Sequence, residues 1–265
     1  MRSKLVTGLA LILVLFAWTC GVSSAQDACL DRLTIDHPDL CLNAQSLKTP
    51  EVCHDNSKPV ARPAIDLVPI LAPPPLPDSA AQKQDIEAVL DAQARRTPAE
   101  VRCARADACI SIFRFAGVMG PEFKPENLPL TSAMIKTLAG ATGGDIAYAK
   151  ATFKRPRPFS FDSHVKNIVP QCPDFSYPSG HSTFAYAVAT LLADMAPEKA
   201  PGIFKRADQY AHNRVVAGVH YPSDVEAGRI SAAVIDYTLM QDAEFQQRYK
   251  AARQELRTAL GLGQN

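Results

Sequence analysis

Beyond about residue 78 the apolar positions of this chain follow a helical period, and the strict alternation expected of half-buried strands is almost absent. Helices are expected near 131 to 153, 181 to 196, 198 to 217, 222 to 240 and 242 to 260, with two shorter ones before them. Ser79 with Gln82 reads as a capping box opening a helix that runs to about Arg96. Thr97-Pro98-Ala99-Glu100 is a stronger start, with Pro at the first helical position and Glu three residues after the cap. The pattern predicts an all-α fold, one helical bundle spanning residues 78 to 265.

The part before residue 78 reads differently. Arg2 and Lys4, the apolar run Leu5 to Trp18 and the small residues Ser23-Ser24-Ala25 have the order of an export signal, residues 1 to 25, with cleavage near Ala25. That run is short for a bilayer span and no other stretch is long and apolar enough, so stable membrane insertion is not expected. Residues 26 to 77 form a cysteine- and proline-rich extension and linker, closed by the stiff prolines Pro73, Pro74, Pro75 and Pro77. Export would place the mature protein in the periplasm. It would retain Cys29, Cys41, Cys53, Cys103, Cys109 and Cys172, an even set that favours disulfides over a zinc site, because the close C-x2-C spacing is missing. Cys103 and Cys109 are read as sharing one helix, where about 1.5 Å of rise per residue keeps them from pairing with each other.

Composition narrows the classes further. The chain has 265 residues, 47% of them hydrophobic, and a formal net charge of +1. This suffices for a large core and leaves no general polyanion-binding surface, so nucleic acid is not an expected partner. The cations that matter are local.

Three short motifs carry the chemistry. Lys150 is followed by Arg157-Pro158; Pro178-Ser179-Gly180-His181 comes next; Arg214 precedes His220 and Asp224. Pro156 and Pro158 force a turn that lets Lys150 and Arg157 converge on one anion. Ser179, Gly180 and His181 open a helix whose free amides and positive dipole end suit a phosphate. Pro222 suits a first helical position and makes Asp224 the third residue, able to reach back to His220 and fix its tautomer. Each motif alone is commonly a turn or a surface pair; their order together points to phosphoryl transfer through a histidine. Lys154 and Arg155 are read as surface or substrate-entry cations, and His37, His54, His164 and His212 as structural or solvated.

The set Lys150-x6-Arg157-Pro158, Pro178 to His181, and Arg214-x5-His220-x3-Asp224 resembles the signature of the type 2 phosphatidic acid phosphatase superfamily, most nearly its bacterial class A non-specific acid phosphatases. Leu71-Ala72-Pro73-Pro74-Pro75, Asp78-Ser79-Ala80-Ala81, Asp85 and Ser176-Tyr177 extend the likeness, which runs from about Leu71 to the C-terminus. The resemblance implies the helical bundle of the acid phosphatase and vanadium haloperoxidase type and a metal-independent phosphomonoesterase without cofactor. It implies His220 as nucleophile, His181 as general acid and base, Asp224 as the group orienting His220, and Lys150, Arg157, Ser179, Gly180 and Arg214 as phosphate ligands. Small phosphate esters are the expected substrates, with phosphotransfer as a side activity and homo-oligomerisation left open. A periplasm-facing lipid phosphatase, a vanadate-dependent haloperoxidase and a non-catalytic binding protein are the alternatives. The chain departs from the pattern at Asn213, where Ser is usual.

Overall fold

The computed structural model describes residues 60–171 and 174–263. The export signal, most of the extension, Cys29, Cys41, Cys53 and Cys172 lie outside the described residues. Among those described there is no strand. The helices are α1 (Ala80–Arg95), α2 (Pro98–Ala106), α3 (Ala116–Met119), α4 (Pro129–Phe153), α5 (Pro158–Phe161), α6 (Gly180–Met195), α7 (Ala200–Val216), α8 (Pro222–Leu239) and α9 (Ala243–Ala259). None is long and apolar enough to cross a membrane.

Local chemistry sets the helix starts. Thr97 and Glu100 close the box on α2: the Thr97 amide donates to Glu100 Oε2 at 2.7 Å, and the Glu100 amide to Thr97 Oγ1 at 3.2 Å. On α1 only half of the expected box forms. Ser79 Oγ accepts from the Gln82 amide at 3.1 Å, but the Gln82 carboxamide turns inward to accept from Arg155. A buried guanidinium outcompetes the N-cap for that oxygen. Proline opens α2, α4, α5 and α8, where its missing amide costs nothing. The four-residue α5 is one of these starts, although Pro158 reads from sequence only as a breaker.

Helix α6 is the centre of the bundle. It is buried over most of its circumference and packs most extensively on α8 and α7, while α4 pairs with α9. Its small residues Ala185, Ala187, Ala189 and Ala193 are buried together with Phe184, Val188, Leu191 and Leu192. The closest approach is at Gly228 of α8, where an added Cβ would lie 2.7 Å from the Ser179 carbonyl oxygen and 2.9 Å from Ser182 Cβ. Glycine there lets α8 press against the start of α6. Leu67 and Leu71, from the stretch before α1, are buried in the same core.

Cys109 lies beyond the end of α2, which stops at Ala106 with Asp107 as its C-cap, so the two cysteines do not share a helix. Cys103 and Cys109 are both disulfide-bonded.

Candidate active site

The site is assembled where three chain reversals meet. Helix α4 ends with Lys154 in the left-handed region at φ 54°, which turns the chain so that buried Lys150 and Arg157 face the same space. Ser179 caps α6: its Oγ accepts from the Ser182 amide at 3.3 Å and the Ser182 hydroxyl at 2.9 Å, leaving its own proton to give. The Ser179 amide donates to the Asp224 carbonyl at 3.0 Å, joining the starts of α6 and α8. A Cβ at Gly180 would do no more than touch Ile146 Cγ2 at 3.4 Å, so packing by itself does not demand glycine there.

The two imidazoles have fixed tautomers. Asp224 Oδ2 accepts from the Tyr221 amide at 2.9 Å and lies 3.2 Å from His220 Nδ1, which must therefore carry the ring proton. The other nitrogen, Nε2, sits 3.2 Å from Arg157 Nη1, a donor, and so presents its lone pair toward the cations. His181 is held from the opposite side. Its Nε2 is 3.2 Å from the Ala108 carbonyl, which only an N–H can satisfy, so in the neutral ring Nδ1 is the nitrogen with the lone pair.

That carbonyl belongs to a run of three turned toward the site. Asp107 O accepts from Arg214 Nη1 at 3.3 Å, Ala108 O from His181, and Cys109 O from the Tyr210 hydroxyl at 2.6 Å. The Asp107 carboxylate, fully buried, is clamped by Arg114, Arg206 and Asn213, the last through Nδ2 at 2.7 Å. Asn213, which stands where Ser is usual, therefore supports Arg214 indirectly, through the Asp107 segment.

Electrostatics follow from dense positive charge in a dry setting. Burial, with Arg157, Lys150 and Arg214 nearby, holds His220 well below the ordinary imidazole range, and burial with Arg214 does the same to His181. Burial and Arg157 bring Lys150 down to about 8, against the pull of Asp174, and Arg214 to about 10. Burial pushes Asp224 up, while Arg155 and the Tyr221 amide pull it back.

Sequence reasoning misplaced Arg155 and missed Asp174. Arg155 is no surface cation. It is buried against the Tyr221 ring at 3.9 Å and spans Asp224 Oδ1 at 2.6 Å and Asp85 Oδ2 at 2.7 Å. It supplies the counter-charge that lets Asp224 sit at zero exposure. Asp85, noted only as part of a family-like stretch, anchors Arg155 and accepts from the Ser223 hydroxyl. Asp174 bridges Lys150 Nζ at 2.7 Å and Arg157 Nε at 2.9 Å. Lys154, His164 and His212 are exposed, as read; His37 and His54 lie outside the described residues.

The PAP2 superfamily matches residues 129–248, the span containing all three motifs. A non-specific acid phosphatase of Salmonella typhimurium is 32% identical over 198 residues, covering 70% of this chain and 78% of that protein. The chain belongs to the PAP2 superfamily. An acid phosphatase of Zymomonas mobilis is likewise 32% identical over 202 residues, 71% of this chain and 75% of the relative. A decaprenylphosphoryl-5-phosphoribose phosphatase of Mycolicibacterium smegmatis is 36% identical over a shorter stretch of 96 residues, 34% of this chain and 51% of that one. The protein is thus a PAP2 phosphatase, and its helices α4 to α8 bring Lys150, Arg157, Arg214, His181 and His220 within electrostatic reach of one another.

Proposed function

We propose that this PAP2 phosphatase is an exported, periplasmic acid phosphatase that hydrolyses phosphate monoesters through a phosphohistidine on His220. The observation that carries the reading is the fixed tautomer of His220: Nδ1 bound to Asp224 and the Nε2 lone pair aimed into the cations. Lys150, Arg157 and Arg214, with the Ser179 hydroxyl and the first amides of α6, hold the phosphoryl oxygens and stabilise their charge in the transition state. His220 Nε2 forms the bond to phosphorus as the ester oxygen leaves. His181, protonated at Nδ1 once the dianion is bound, gives that proton to the leaving alcohol. In the second half-reaction the neutral Nδ1 takes a proton from water, whose oxygen attacks phosphorus and releases His220. An alcohol in place of that water gives phosphotransfer.

Neutral imidazoles in the empty site suit this sequence. The nucleophile is ready without losing a proton, and the arriving dianion supplies the negative charge that draws a proton onto His181. The test is hydrolysis of a nucleotide, an aryl phosphate and a lipid phosphate by wild type, His220→Ala and Asp224→Asn. Soluble monoesters should be the best substrates, His220→Ala should be inactive, and Asp224→Asn should lose on the order of 10⁴ in turnover while still binding phosphate. Preference for the lipid phosphate would favour the lipid phosphatase reading. Full activity in His220→Ala would refute the mechanism.

A further inference from the structure

The carboxylate of Asp174 is the least expected charge in the site. Its Oδ2 accepts from Lys150 Nζ at 2.7 Å, and its Oδ1 accepts from Arg157 Nε at 2.9 Å and also from Arg157 Nη2. It does not reach Arg214, which contributes Nη1 to the Asp107 carbonyl and, among the described residues, has no partner for Nε. Asp174 thus takes two of the three cage cations with a single anionic group of two oxygens. Its backbone carbonyl separately accepts from Arg157 Nε at 3.2 Å, so the main chain stays tied to Arg157 whatever the side chain does.

We propose that Asp174 is the resident anion of the phosphate cage: its carboxylate occupies the Lys150 and Arg157 donors when the site is empty, and substrate binds by displacing it. This rests on the reading of Lys150 and Arg157 as phosphate ligands. The exchange is favourable in kind. A phosphomonoester brings two negative charges and three terminal oxygens, enough to engage Lys150, Arg157 and Arg214 together, whereas the carboxylate satisfies only the first two. Both anions cannot keep the same nitrogens without bringing like charges into contact in a dry site. Other charges facing the pair are Asp224 from α8, near Lys150, and Arg214 from α7. Asp224 is itself committed to Arg155 and His220, which leaves Asp174 as the anion free to yield. Displacing the carboxylate lowers apparent substrate affinity and speeds phosphate release, because Asp174 returns to the donors as product leaves.

Calorimetric titration of inorganic phosphate into wild type, Asp174→Asn and Asp174→Ala at pH 6 tests the idea. Removing the competing charge should tighten binding by about tenfold or more in both variants, since the ligand then displaces no anion from Lys150 and Arg157. Unchanged or weaker binding in the two variants would overturn it and make Asp174 a fixed support of Lys150 and Arg157. Lys150→Met separates the premises: if it leaves phosphate affinity intact, the cage assignment fails, not only the role of Asp174. A crystal structure with orthovanadate gives an independent reading. The Asp174 carboxylate should leave Lys150 Nζ and Arg157; a carboxylate still bound to both beside the vanadate would contradict the proposal.

Discussion

Helix α7 carries two buried arginines whose surroundings could hardly differ more. Arg206 is closed: its Nε donates to the Arg114 carbonyl at 2.9 Å, its Nη1 to Asp107 Oδ2 at 3.1 Å and its Nη2 to Asp107 Oδ1 at 2.5 Å. Arg214 is left short among the described residues, with one long bond to the Asp107 carbonyl and a buried Nε that has no partner. Arg206 and Arg114 hold Asp107 below the usual carboxylate range in spite of full burial, so that cluster needs nothing more. The deficit at Arg214 is what an incoming anion would fill. On α7 the arginine whose donors are all matched holds the framework, and the one left short stands beside His181 and Arg157.

The contrast predicts opposite phenotypes from like substitutions on one helix. Arg214→Met should lower kcat/KM by about 10²–10³, the usual loss for one donor to a developing oxyanion, with thermal stability retained. Arg206→Met should instead cost about 3–5 kcal/mol of folding stability by stranding Asp107, while specific activity of the folded fraction stays within a few-fold. Paired thermal melts and kinetics on the two variants decide it. The distinction collapses if both lose activity alike at equal stability.

A smaller effect is expected where the two helix starts touch. Gly228→Ala puts a methyl 2.7 Å from the Ser179 carbonyl oxygen, so it should cost about 1–3 kcal/mol in chemical denaturation and reduce turnover by shifting α6 against His220 and Asp224. A neutral Gly228→Ala would show that the junction has slack.

Much of this was legible from the chain. The five long helices after residue 129 emerge within a residue or two of their observed ends because their apolar faces are continuous, whereas the four-residue α5 is not foreseen. The motif positions converge because each sits at a helix end or beside a proline, where local rules dictate direction. What was not legible depends on partners distant in sequence. Nothing local separates Arg155 from its neighbour Lys154: one is buried by Asp85 and Asp224, the other is exposed. Asp174 carries no motif, and its meaning appears only when Lys150 and Arg157 close on it. Gly228 reads as an ordinary helix glycine until α8 crosses α6. Cys109 reads as part of α2 because neither proline nor glycine marks the helix end at Ala106.

The pH response sharpens the same picture of an underfilled cage. Lys150, held near about 8, is cationic below that pH and loses its charge as pH rises through it, so phosphate affinity should decline above about pH 8. Both imidazoles lie well below their ordinary value in the free enzyme, so the acid limb of kcat/KM should fall well under the unperturbed value of about 6.5. An acid limb in kcat/KM at or above that value would contradict the neutral empty site. Activity is expected to survive exhaustive EDTA and to be inhibited by orthovanadate.

The smallest effect is expected at the departure from the family pattern. Asn213→Ser removes the 2.7 Å bond to Asp107 and should cost about 1 kcal/mol, with KM rising a few-fold through looser support of Arg214. A rise in kcat without any change in stability would point to a direct role for Asn213 that its geometry does not indicate.

The central claim is that His220 attacks through Nε2 while Asp224 holds Nδ1. Rapid quench with an aryl phosphate under alkaline conditions, followed by mass spectrometric mapping that distinguishes the two phosphohistidine isomers, tests it directly. The account predicts an acid-labile, base-stable label on Nε2 of His220, absent from His220→Ala. A label on Nδ1, on His181, or persisting in His220→Ala would contradict it.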